Sequence, residues 1–128
     1  MAQLVQKPIN SLDHALSTGI EALGGCYASV LTGSGWTRVQ AHALLHNGAA
    51  VTATATLHLI VDGVDLAATP GGMGQAAMPA TLNTTIHLDL PLRMGAGQHT
   101  FQLSAVTDAV GVIISGYQAA LTVNELGY

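Results

Sequence analysis

Six histidines (His14, His42, His46, His58, His87 and His99) are the side chains in this sequence best suited to proton transfer or metal ligation. His58 and His87 fall on the polar faces of alternating segments, and His42 can join them. If those segments pair as strands, a zinc site is conceivable, because imidazole is a common ligand. Their neighbours, however, are Thr, Asn and Gln, and no Cys or Glu stands at ligand spacing. No metal and no cofactor are therefore expected. Nucleophilic chemistry is no better supported. Cys26, the single cysteine, follows Gly24-Gly25 without a signature that places a histidine and a carboxylate around it, so a buried or interface thiol is expected. Ser34-Gly35 and Ser115-Gly116 read as turn dipeptides, and the seven acidic residues show no clustering into a carboxylate pair. No catalytic residue is assigned, and an enzyme is not expected.

The stretch GAGQHTFQL (95–103) poses the sharpest choice. Gly95-x-Gly97 before a polar residue and His99 resembles a ligand cradle with a base beside it. A phosphate loop, though, needs a helix after the glycines, so that its N-terminal N–H groups face the anion. Here His99, Phe101, Leu103 and Ala105 alternate with Thr100, Gln102 and Ser104. That is a strand. The glycines then turn the chain, and His99 is expected to be half-buried and bonded to backbone.

The elements that would position these residues are strands throughout. In VTATATLHLIV (51–61), Val51, Ala53, Ala55, Leu57, Leu59 and Val61 share a face opposite Thr52, Thr54, Thr56, His58 and Ile60. In TLNTTIHLDL (81–90), Leu82, Ile86, Leu88 and Leu90 oppose Asn83, Thr85, His87 and Asp89. Val39, Ala41, Ala43 and Leu45 do the same against Arg38, Gln40 and His42. Segments 110–114 and 119–126, with shorter ones at 27–31 and 63–68, bring the total to about eight strands. Asn47-Gly48 and Asp62-Gly63 are hairpin signals, since both residue types tolerate positive φ. Residues 69–80, TPGGMGQAAMPA, read as a long Gly/Pro-rich loop, a place where function or mobility concentrates. The pattern is an all-β antiparallel sandwich or barrel.

Residues 1–26 differ from the rest and are expected to form an N-terminal arm, ahead of a β-sandwich domain over 27–128. Within the arm, Ser11 can cap a short helix over 11–23, with Leu12, Ala15, Leu16, Ile20 and Leu23 at helical spacing. The alternative is an extended segment lying on a neighbour.

Composition bounds the function. A chain of 128 residues makes one domain, long enough to bury roughly two-thirds of its unfolded surface. Only 8% of residues are charged, where about 25% is usual. A solitary soluble chain needs charged surface, so so little of it points to an oligomer that hides surface in subunit contacts. A net charge of −4 and three scattered cations (Lys7, Arg38, Arg93) exclude nucleic-acid binding as a main activity. The opening MAQLVQKPINSLDH lacks the charged and then apolar runs of a signal peptide, and no 18-residue apolar span exists. One Trp, one Phe and three Tyr cannot furnish the aromatic girdles of a membrane barrel, so no membrane partner is expected.

Residues 92–128, LRMGAGQHTFQLSAVTDAVGVIISGYQAALTVNELGY, resemble the closing strands of small trimeric jelly rolls. These are domains similar to tumour necrosis factor and the complement globular head, as found in bacteriophage structural proteins. Ala96-Gly97-x-His99-Thr100 opens a strand in that pattern, and Leu121-Thr122-Val123-x-Glu125-Leu126-Gly127 forms the last one. The hairpin around Leu57, Val61, Asp62-Gly63 and Val64 is similar too, and the resemblance spans about residues 36–128. It implies an antiparallel jelly-roll sandwich assembled as a homotrimer, used as a virion or adhesion module without catalysis. A capsid decoration (cement) protein on the capsid exterior leads, made in the host cytoplasm and bound to the major capsid protein. Its candidate contact residues are Val5, Pro8, Ile9 and Leu12 of the arm, with Met73 and Met78 of the 69–80 loop. The alternative is a receptor- or glycan-binding head of a head or tail fibre, stacking sugars on Trp36, Tyr117 or Tyr128. A metal-dependent jelly-roll enzyme using His58 and His87 ranks last, because His87-x-Asp89 lacks the second close histidine and following glutamate of a cupin site.

Overall fold

The computed structural model describes residues 2–8, 14–67 and 73–127, with the side chains of 2–8, 24–25, 116–119 and 127 left aside. These residues form strands and turns, with no helix among them. In chain order the strands are β1 (Ala2–Pro8), β2 (His14–Ala15), β3 (Glu21–Thr32), β4 (Gly35–Asn47) and β5 (Ala53–Val61). There follow β6 (Val64–Asp65), β7 (Met73–Met78), β8 (Asn83–Met94), β9 (Gly97–Thr107) and β10 (Val112–Gly127). One sheet runs β1-β10-β4-β8, with β2 also on β10; the other runs β3-β9-β5, with β6 and β7 on β5. Every pairing is antiparallel. Successive long strands alternate between the sheets, which is jelly-roll order.

The core sits between the sheets because each strand buries alternate residues. Val39, Ala41, Ala43 and Leu45 of β4 and Ile86, Leu88 and Leu90 of β8 face Leu57 and Leu59 of β5 and Phe101 and Leu103 of β9. The alternation read from the sequence is thus the inward face, with two exceptions. Val51 and Leu82 precede their strands and are exposed. Among the described residues, Phe101 is the one aromatic ring wholly buried among aliphatic side chains. Gly74 lets β7 cross β8: a Cβ there would collide with the His87 carbonyl oxygen. At this one point the two sheets therefore approach backbone to backbone.

Three expectations change. First, no helix covers the described part of 11–23; β2 pairs with β10 and the Leu16 N–H bonds the Val112 carbonyl. Ser17 closes a local turn with Gly19, and Ile20, which a helical stripe would bury, is exposed. The edge of β10 offers these residues hydrogen bonds that an isolated helix weakened by Gly19 cannot match. The described part of 1–26 accordingly contributes β1, β2 and the start of β3. Second, within 69–80, Met73–Met78 is strand β7, paired with Ala53–His58 of β5. Third, Asn47-Gly48 is not a two-residue hairpin, because β4 and β5 lie in different sheets. Asp62-Gly63 is one: both residues have positive φ (51° and 81°), as a type I′ turn requires.

Two strands carry wide bulges. Between Ala22 and Tyr27 the chain of β3 advances five residues while β9 advances two, from Ser104 to Gln102. Gly24-Gly25 sit in that bulge, where the absence of a side chain eases the bend. The Gln102 amide spans it, donating to the carbonyls of Leu23 and Cys26. A second shift in β10, between Ile114 and Ala119, joins the two strand segments read from the sequence into one.

Candidate functional site

Loops at the two ends of the sandwich are tied by different chemistry. At one end the Asn47 side chain, fully buried, holds the loops after β4 and β7. Its amide donates to the carbonyls of Val51 (2.9 Å) and Met78 (2.9 Å), and its Oδ1 accepts from the Ala49 N–H. The backbone adds Asn47 N–H to Leu82 O, Thr81 N–H to Asn47 O and Gly48 N–H to Gly111 O. This knot joins three loops that carry Val51, Leu82 and Val110, which are 59%, 53% and 81% exposed. Ala49, Ala50, Pro79 and Ala80 fill out those loops, so the tip is largely apolar.

The other end is tied by charge. Asp62 Oδ2 lies 2.7 Å from His99 Nδ1, and Asp62 Oδ1 accepts from the Thr100 N–H. His99 Nε2 lies 2.7 Å from the Gly95 carbonyl. Both ring nitrogens thus face acceptors, an arrangement that only the doubly protonated imidazolium satisfies. The Asp62 bond, followed by the Gly95 carbonyl, raises the His99 pKa, and the His99 bond in turn lowers that of Asp62. The GAGQHTFQL histidine is half-buried and backbone-bonded, as read, and its carboxylate partner from the Asp62-Gly63 turn is new. A histidine spent on two fixed acceptors has no nitrogen left for a substrate.

The carboxylates and guanidinium groups elsewhere among the described residues are also engaged within the chain. Arg38 on β4 makes a two-pronged pair with Asp89 on β8, Nε to Oδ1 at 2.9 Å. The guanidinium bond holds the Asp89 carboxyl below the usual range, and the pair raises the Arg38 pKa. Glu21 bonds His14 and the Ser17 N–H; Asp65 bonds His58; Asp108 accepts from the Thr54 N–H; Glu125 accepts from the Gly33 N–H. Arg93 lies over the Trp36 ring at 5.9 Å from its centre. Among the described residues, then, every acidic and guanidinium group meets a partner inside the chain.

The candidate chemical residues separate in space. His58 faces outward from β5 and His87 outward from β8, in different sheets, so the strands do not combine them into one site. His42 is instead the direct register partner of His87 across β4 and β8. Gln40, His42, His87, Asp89 and Thr122 line a shallow outward cleft of about 410 Å³ there. Among the described residues no three His, Cys, Asp or Glu side chains gather as a metal cage. The Cys26 thiol is buried, and desolvation pushes its pKa up to about 12, which keeps it protonated and unreactive.

The candidate contact residues are scattered. Val5 and Pro8 lie on β1, opposite Val123 and Ala120 of β10, while Ile9, Leu12 and Tyr128 lie outside the described residues. Met73 is exposed at the start of β7, but Met78 is wholly buried and belongs to the core, so it presents nothing to a partner. Trp36 is partly exposed at the charged end, and Tyr117 lies in the β10 bulge. The apolar tip of Val51, Leu82 and Val110 was missed because all three side chains continue an apolar alternation that reads as inward.

These two sheets, in this order, make a jelly roll of the tumour-necrosis-factor type. The structure of Eiger TNF from S. frugiperda matches 98% of this chain and 94% of its own with a TM-score of 0.54, at 9% sequence identity. No protein family matches the sequence. No curated protein matches it either.

Proposed function

We propose that this chain is a bacteriophage virion structural protein, a capsid decoration protein that binds the major capsid protein as a homotrimer on the shell exterior and stabilises it without catalysis. The observation that carries the reading is the surface. Charges are sparse, and among the described residues every acidic and guanidinium group is satisfied within the chain, while the loops at one end of the sandwich carry the exposed side chains of Val51, Leu82 and Val110. A surface of that kind is suited to apolar and main-chain contacts with a fixed lattice, not to steering a charged ligand. The tumour-necrosis-factor-type fold and the charge deficit both favour self-association, with the apolar tip directed at the shell. Binding only the assembled state would stabilise the capsid by mass action.

Purified empty capsids test this reading. Saturable binding at regular lattice sites is expected, with loss of at least about tenfold in affinity (about 1.4 kcal/mol) when Val51, Leu82 and Val110 are all replaced by Ser. Binding to host cells or glycan arrays without capsid binding would instead establish the fibre-head alternative. Light scattering should give three copies per particle at micromolar concentration; a monomer would sink the trimer.

A further inference from the structure

The six histidines divide by the company they keep. His14 bonds Glu21, His46 bonds Asn83, His58 bonds Asp65, and His99 bonds Asp62 and Gly95. His42 and His87 make no hydrogen bond or ion pair with any described residue. They are also the two that stand directly opposite one another, facing outward from the middle of the β4–β8 ladder. We propose that His42 and His87 together bind one divalent transition-metal ion of the zinc class, leaving the remaining coordination positions to water.

Strand geometry supplies the distances. Side chains directly opposite across an antiparallel pair have Cβ atoms about 4.5–5.5 Å apart. Two imidazole nitrogens on a tetrahedral ion, each about 2.0–2.1 Å from the metal, stand roughly 3.3 Å apart. Rotation about the side-chain bonds of two outward-facing histidines covers that difference with the backbone in place. The cleft of about 410 Å³ lined by Gln40, His42, His87, Asp89 and Thr122 leaves room for the ion and its waters. Asp89 stands two residues beyond His87 on the same outward face, but both its oxygens are held by Arg38. The chain therefore supplies two donors, which sets the affinity in the micromolar range and leaves an exchangeable site. The pairing needs only one copy of the chain and is independent of the capsid reading.

Titration of the full chain with zinc chloride, followed by calorimetry and by histidine ring NMR, tests the site. One ion per chain at micromolar affinity is expected, with the His42 and His87 ring signals moving first. His42→Gln or His87→Gln should weaken binding about tenfold or more, since each removes one of two ligands. His46→Gln, on the same face and bonded to Asn83, should leave it unchanged. The ring signals of the unaltered chain keep the test independent of how the variants fold. No binding up to millimolar zinc, or first movement of the His14, His58 or His99 rings, would overturn the proposal.

Discussion

The two ends of the sandwich are both tied by a single polar side chain, yet the ties differ in kind. Asn47 is neutral, fully buried and bonded to the Val51 and Met78 carbonyls and the Ala49 N–H, the bond to Met78 lying wholly in the interior. Asp62 is charged, exposed and set against an ionisable partner, His99. Burial decides which tie matters more. A buried amide that vanishes leaves polar groups stranded in a water-poor interior, whereas solvent replaces most of what an exposed ion pair supplies. The neutral knot is therefore the stronger one, and it stands beneath the apolar tip.

Asn47→Ala gives the largest expected effect on this contrast. Losing the bonds to Val51, Ala49 and Met78 should cost about 3 kcal/mol, read as a lower urea midpoint, with no dependence on pH between 6 and 8. An equal loss from Asp62→Asn would erase the distinction.

Asp62→Asn should cost only about 0.2–1 kcal/mol, and the cost should vary with pH. Asparagine tolerates the positive φ at this position, so the turn itself survives. The His99 pKa is raised above its ordinary 6.5 in the folded chain, so its contribution is complete below that value and fades as pH rises through the folded pKa. The Asp62 pKa is lowered below its ordinary 3.8, so its contribution is complete above that value and fades as pH falls through the folded pKa. The stability gap between the two proteins should be widest at about pH 5 and narrow towards pH 9, as followed by thermal melts across that range. A gap that grows with pH would contradict the imidazolium assignment.

The smallest effect on stability is expected at the tip. The triple replacement of Val51, Leu82 and Val110 by Ser should change folding stability by less than about 0.5 kcal/mol per site while weakening capsid binding at least about tenfold. A large loss of stability there would show that the tip belongs to the core.

Period-two alternation made β4, β5, β8 and β9 legible, because each buries an apolar face and turns a polar one outward, even where, as at Thr56 and Ser104, the polar residue is itself buried. Strand β7 was not legible. Met73, Gly74, Gln75, Ala76, Ala77 and Met78 have no β-branched residue, and their extended form comes from pairing with β5. The 11–23 segment misled because Leu16 and Leu23 are buried, as a helical stripe would have them, but by way of strands and a turn. Of the chemistry, the sequence carried the histidine and carboxylate types but not their partners. Whether His87 meets His42 or His58 depends on which strands neighbour in space, and that is a property of the jelly-roll crossing order.

The β3 bulge gives the chain a built-in clock. The Cys26 thiol it carries is wholly enclosed and protonated, so a thiol-specific dye can label it only in the instants when that edge of the sheet comes open. The labelling rate in the native protein thus counts openings of one bulge, and comparison of free chain with assembled particle would time how firmly association holds that edge shut.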